Sequence, residues 1–408
     1  MNNPTTPYLT TLTPLRGIAA LLVVVFHSNL MCAQFIPQGY THIVDSGWLW
    51  VDFFFVLSGF IMFYVYGKNF KERVDRSGYL KYVGARFARV YPLHLFTLIV
   101  CFVTAVIIVR RADGLDDFFA EMINPGALPA SLVFLQGMGV FWAAPLNTPS
   151  WSLSTEWWMY LIFPFVVPLF SKMNGGGKLF VFALLVAAYL FIMYFIGPIA
   201  MAGPFASGHP TMDIVADFGF FRCAAGFLLG MVLHEVYKTR TAYSLFRKSG
   251  MFIILFAGVL VAMHFGINDL LIIAFFPLII LAAAYNEERV KKILDTSVLQ
   301  RLGDWSYSIY MVHVPIISIF WVFNVYNDPK FFSNFLELVS KPPNYGLGLV
   351  FFLVIFASTL VIAALTYRYV EVPARNYLNA RFNVKKQKTV PLLQEREVPN
   401  PFPPAEKD

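Results

Sequence analysis

Charge is what this sequence has least of. Asp, Glu, Lys and Arg supply only 13% of its 408 residues, while hydrophobic residues supply 58% and the mean hydropathy is +0.63. An ordinary soluble domain is roughly one-quarter charged, so that class is excluded. Cysteine is also scarce. Cys32, Cys101 and Cys223 make an odd number, lie in or beside apolar runs and lack metal-ligand spacing, so neither a disulfide framework nor a metal site is expected. The amino terminus lacks a basic segment followed by a cleavage site, and the first apolar run is expected to be retained as a span. We find no stretch that reads as a soluble domain, and no internal repeat of the kind that builds a two-halved transporter.

What is present is a series of apolar runs of about 20 residues, each long enough to cross a bilayer. They fall near residues 13–32, 48–66, 91–109, 152–170, 179–198, 218–236, 250–267, 270–286, 304–325 and 346–367. The predicted fold class is therefore all-α: a polytopic membrane helical bundle of about ten transmembrane helices, occupying residues 1–380. Residues 381–408, rich in proline and alternating charge, read as a disordered tail. Net charge is positive, with a pI near 9.1, but the basic residues sit in short loops and do not form a nucleic-acid patch. Lys68, Lys71, Arg73 and Arg76 follow span two; Lys172 and Lys178 follow span four; Arg240 and Arg247 follow span six. The loops after spans eight and ten repeat the pattern, so these loops and both termini are expected in the cytoplasm, as in a bacterial inner membrane protein. Two opposite-face connections, Arg110 to Ser150 and Asn327 to Tyr345, are longer than a link requires and read as functional or lid-like. Within the first, Pro129 to Trp142 is too short to span and reads as a re-entrant or interfacial helix.

The few ionisable residues inside the spans carry the functional signal. Span one, TPLRGIAALLVVVFHSNLM, holds only Arg16 and His27. Eleven residues are about three helical turns, so both project from one face about 16 Å apart along the axis. A buried polar stripe, or a snorkelling Arg with a core His, satisfies that spacing. In WLWVDFFFVLSGF, Asp52 sits just inside the outer end of span two, as an orienting partner for His27 or a loop donor, or as an interfacial cap. In YVGARFARVYPLH, Arg86 and Arg89 share a face ahead of span three, suited to a phosphate-bearing donor such as a coenzyme A thioester, or to positive-inside topology alone.

Span four opens PSWSLSTEWWMY, with Glu156 a turn inside the outer interface among Trp151, Trp157 and Trp158. The tryptophans read as an aromatic belt, but a carboxylate within it reads as functional. At a depth comparable to His27, Glu156 is expected to flank a substrate hydroxyl with it, while Asn147, Ser152 and Ser154 add hydrogen bonds. GDWSYSIYMVHVP opens span nine with a second mid-membrane imidazole, His313, either a core His or part of the substrate path. YRYVEVPAR places Glu371 among Arg368 and Arg375 as an ion-pair cluster. His94, His209 and His264 carry no usable pattern.

Taken in order, the R-x10-H frame of Arg16 and His27, WVDFFFVLSGF, ARFARVYPLH, PSWSLSTEWWMY, SYSIYMVHVP and VEVPAR resemble the acyltransferase-3 family. The resemblance runs from about residue 10 to about residue 380. It implies an O-acyltransferase that moves an acyl group, usually acetyl, from cytosolic acyl-CoA to a hydroxyl of a carbohydrate or other small acceptor handled at the outer face. It also implies that His27 and Arg16 are the essential pair and Arg86 and Arg89 the RxxR motif. Two features depart from the family pattern. Val372 follows Glu371 where members often carry Arg, and no SGNH hydrolase-like domain follows the spans. Either the chain acylates its acceptor directly or a separate periplasmic partner completes the transfer.

We therefore expect His27, Arg16 and Glu156 to be catalytic, Arg86 and Arg89 to hold the acyl-CoA donor, and Asp52, Trp151, Ser154 and His313 to contact substrate. No metal is expected. The alternative is a secondary transporter of a sugar or lipid-linked intermediate, using the same stripe as a path without bond chemistry.

Overall fold

The computed structural model describes residues 9–32, 34–37, 39–200, 210–332 and 344–382. Every long apolar run is a helix, because lipid offers backbone groups no hydrogen-bond partners and a helix satisfies them internally. In chain order these are α1 (Leu12–Met31), α2 (Trp50–Phe70), α3 (Arg76–Arg111), α4 (Ser150–Lys172), α5 (Gly175–Phe191) and α6 (Gly219–Thr239), followed by α7 (Ser249–His264), α8 (Asp269–Tyr285), α9 (Ser306–Asn327) and α10 (Tyr345–Thr366). A π-helical turn, Tyr367–Glu371, carries α10 on into Val372–Arg381. Among the described residues eight helices are long and apolar enough to cross a membrane, and α7 and α8 are shorter apolar helices of 16 and 17 residues. The chain is an integral membrane protein, an all-α bundle. The tail from residue 383 and much of the connection between Asn327 and Tyr345 lie outside the described residues.

One boundary moves in a way that matters. Helix α3 begins fifteen residues before the apolar run at 91, because Asp75 caps it by accepting from the Gly78 N–H at 2.8 Å. Arg86 and Arg89 therefore ride within a continuous helix and not in a loop.

Two close packings set the bundle. At the α2–α6 crossing, a Cβ on Gly59 would overlap the carbonyl oxygen of Phe227, and one on Gly230 would overlap that of Val56. Gly226 and Gly230 form a G-x3-G step, which lets backbones approach where lipid supplies no hydrophobic drive. Helix α9 packs against α1, α3 and α10, and so occupies the centre of the other half.

The connection 112–149 is not the re-entrant helix expected over 129–142. Asp117–Met122 is a short helix, but within 129–142 helix extends only to the end of Leu128–Leu132, and the chain then turns, with positive φ at Phe134 (59°) and Leu146 (60°). Side chains of the spans satisfy this buried loop. His94 Nε2 bonds Ser131 O at 2.9 Å, Ser154 Oγ donates to Phe134 O at 2.5 Å, and Trp158 Nε1 donates to the same carbonyl at 2.8 Å. Asn147 Nδ2 donates to Thr97 Oγ1 and to Met311 O, both at 3.1 Å. Irregular backbone at this depth is tolerated only where protein surrounds it; here it is wedged among α3, α4 and α9.

Candidate active site

The α1–α9 contact joins two histidines 286 residues apart in sequence. His313 Nδ1 lies 3.3 Å from Ile309 O, and His313 Nε2 lies 3.1 Å from His27 Nδ1, which is itself 3.1 Å from Val23 O. A carbonyl only accepts, so His313 carries its proton on Nδ1 and offers Nε2 as a lone pair. His27 Nδ1 then faces two acceptors and must hold the other proton. His27 Nε2 is left unprotonated, in the form of a general base, and the ring is fixed by its partner. His27 is 9% exposed and His313 fully buried.

Towards the end of the bundle that carries the basic loops, a cavity of about 90 Å³ opens between α1, α2, α3, α4 and α9. Arg16, Arg86, Arg89, Glu156, Ser306 and Tyr310 line it. Arg86 donates to the Tyr66 hydroxyl at 3.0 Å and lies over that ring, while its Nε finds no hydrogen-bond partner among the described residues. The buried Ser306 Oγ is likewise unpartnered there. Unsatisfied donors beside a polar cavity are what a bound polar group would complete. Glu156 lines the same cavity, accepting on Oε1 from Tyr160 at 2.6 Å and from Ser58.

Among the described residues Glu156 is bonded by Tyr160 and Ser58 and not by His27. The cavity ends at Tyr310, whose ring lies 6.1 Å from that of His313 and one helical turn before it. Tyr310 is held by Ser152 Oγ at 2.7 Å and by donation to Pro149 O at 3.1 Å.

Arg89 differs from Arg86. It forms an ion pair with Glu371, which also accepts from Ser308 at 3.0 Å and lies 3.8 Å from Arg375. Glu371 thus sits between Arg89 and Arg375, whereas Arg368 lies over Tyr369. With Glu371 and Arg375 buried, this cluster ties α3 to the extension of α10.

Three expected substrate contacts are placed elsewhere. Asp52 is fully buried and bound bidentately by Arg222, Nε to Oδ1 at 3.1 Å and Nη2 to Oδ2 at 2.6 Å. It touches neither His27 nor the cavity. Arg222 also donates to Ile214 O at 3.2 Å and is sandwiched by Trp48 and Trp151, 4.8 and 5.6 Å from the ring centres. Trp151 therefore packs on this ion pair, and Ser154 anchors the loop at Phe134 and Gly137. Outside the spans, Asp213 faces Arg222, and burial pushes its carboxyl up to about 6 even though the guanidinium pulls the other way; Asp269, Asp52 and Asp217 add to the rise. Arg222 was overlooked in the sequence, although a lone Arg in GFFRCAAGF is the signal that an intramembrane acid needs a partner. Ser58, Tyr160 and Tyr310 give no such signal, since hydroxyls are common in spans.

The bundle of membrane helices thus encloses a basic cavity that ends one helical turn from a paired imidazole. The acyltransferase-3 family profile, described as an acyltransferase domain, matches residues 12–368, and the chain belongs to that family. It is a membrane acyltransferase. The chain is 27% identical to the acyltransferase MdmB of Streptomyces mycarofaciens over 76% of its own length and 79% of that protein. It is 33% identical to protein 2 in the picA locus of Rhizobium radiobacter over 35% of its length and 73% of that protein. To the peptidoglycan O-acetyltransferase OatA of Listeria monocytogenes it is 24% identical, over 90% of this chain and 56% of that protein. No solved structure matches the chain.

Proposed function

We propose that the protein transfers an acyl group, acetyl in the first instance, from acyl-CoA on the cytosolic side to a hydroxyl of a carbohydrate on the opposite side of the bacterial inner membrane. The observation that carries the chemistry is the His27–His313 pair at 3.1 Å, which leaves His27 Nε2 as the acceptor of a proton. The donor enters from the end bearing the basic loops, its phosphates drawn by Arg86 and Arg16. Its thioester carbonyl reaches the Tyr310 end of the cavity, one turn from the histidines. The carbohydrate hydroxyl approaches His27 from the other face. His27 Nε2 takes its proton as the oxygen attacks the thioester carbon; the C–S bond breaks, and the proton passes to the departing thiolate, giving an ester and free coenzyme A.

Glu156 faces the donor and not the base, so its role is to position the polar arm of the thioester or Arg86 beside it. Arg89 acts at one remove, holding α3 through Glu371. A carbohydrate acceptor is supported by the relative named a peptidoglycan O-acetyltransferase; either the chain acylates that acceptor directly or a separate periplasmic partner completes the transfer. Purified protein in liposomes given labelled acetyl-CoA and a carbohydrate acceptor tests this. Labelled ester in the acceptor with the wild type but not with His27→Ala is expected; equal labelling by both refutes the role of His27.

A further inference from the structure

The cavity is graded along the helices that line it. Arg16, Arg86 and Ser306 lie at the basic end; one or two turns further in on α2, α4 and α9 the lining becomes Phe54, Leu153 and Tyr310. Two aromatic rings meet at the apolar end. Phe54 meets Tyr310 edge to face at 5.8 Å, and Tyr310 is pinned from behind by Ser152 and the Pro149 carbonyl. Such a lining receives an anionic arm at one end and an apolar cap at the other.

We propose that Phe54 and Tyr310 together limit the length of the acyl chain, so that the enzyme accepts short acyl thioesters and rejects long ones. This rests on reading the cavity as the donor site. Tyr310 is fixed by two hydrogen bonds, whereas Phe54 contributes only its ring, so Phe54 is the adjustable half of the pair. Each methylene that a pocket can or cannot hold changes discrimination by about tenfold or more.

The test is thiol release from acetyl-, propionyl- and hexanoyl-CoA by the full chain in liposomes, with thermal-shift binding of the same esters, across Phe54→Trp, Phe54→Leu and Phe54→Ala. Phe54→Ala is expected to raise the hexanoyl-to-acetyl ratio of kcat/KM by at least about tenfold, with Phe54→Leu intermediate. Phe54→Trp is expected to lower the propionyl-to-acetyl ratio. Should Phe54→Ala not fold, the Trp and Leu variants decide the matter from either side. A ratio unchanged across the folded variants, with acetyl-CoA still used, overturns the length limit and leaves the donor reading intact. A wild type that neither binds nor cleaves any of the three esters overturns the donor reading and this proposal with it.

Discussion

His27 Nδ1 lies 3.1 Å from His313 Nε2, and the carbonyls of Val23 and Ile309 fix which nitrogen of each ring carries a proton. On the proposed mechanism His313 is a positioning residue for His27. Replacing His27 with Ala removes the proposed base and is expected to lower turnover by about 10²–10⁴-fold. His313→Ala should lower kcat less and leave the KM for acyl-CoA in place. His313→Gln, whose carbonyl oxygen can accept from His27 Nδ1–H, should recover part of the loss. Equal kcat in His313→Ala and the wild type would remove His313 from the mechanism.

Arg86 and Arg89 should separate experimentally, although they share one face of α3. Arg86→Ala is expected to raise the KM for acyl-CoA by about tenfold or more, the worth of a hydrogen bond to a charged group, with little change in thermal stability. Arg89→Ala leaves Glu371 buried beside Arg375 alone and should lower the melting temperature. Purified variants assayed for both quantities check the contrast.

Asp52 and Arg222 hold α2 to α6 through a fully buried bidentate pair. Removing one partner strands the other charge, at a cost of about 3–5 kcal/mol. Asp52→Asn and Arg222→Met should each lower the unfolding midpoint in detergent sharply, and the Asp52→Leu, Arg222→Met double variant should be more stable than Arg222→Met alone.

Asp213 gives a pH dependence of known sign. Its carboxyl is pushed up to about 6 in the folded chain from an ordinary value of 3.8. Between these values the folded state binds more protons than the unfolded state, so this group destabilises the fold as pH rises through 6 and contributes nothing below about 3.8. Asp213→Asn is expected to be more stable than the wild type at pH 7 to 8, with the difference shrinking as pH falls towards 4. A pH-independent difference in unfolding midpoint would contradict this.

The ten helices were legible because lipid demands long apolar runs, and their observed bounds differ from the reading mainly where polar caps act, as at Asp75. Arg16 and His27 were legible as intramembrane ionisable groups. Pairing was not. The partner of His27 is 286 residues away, and Asp52 finds Arg222 at a distance of 170 residues, so only the crossing of α1 with α9 and of α2 with α6 reveals either. The segment 129–142 misled because buried apolar loops and short helices share a composition; what distinguishes them is the supply of hydrogen bonds from Ser154, Trp158 and His94.

The most direct measurement is release of labelled acetate or acetylated product from acetyl-CoA by liposomes holding the wild type, His27→Ala or Arg86→Ala. Turnover by the wild type, its loss in His27→Ala, and in Arg86→Ala its recovery only at higher acetyl-CoA are expected. Undiminished turnover in folded His27→Ala would contradict the assignment of the base.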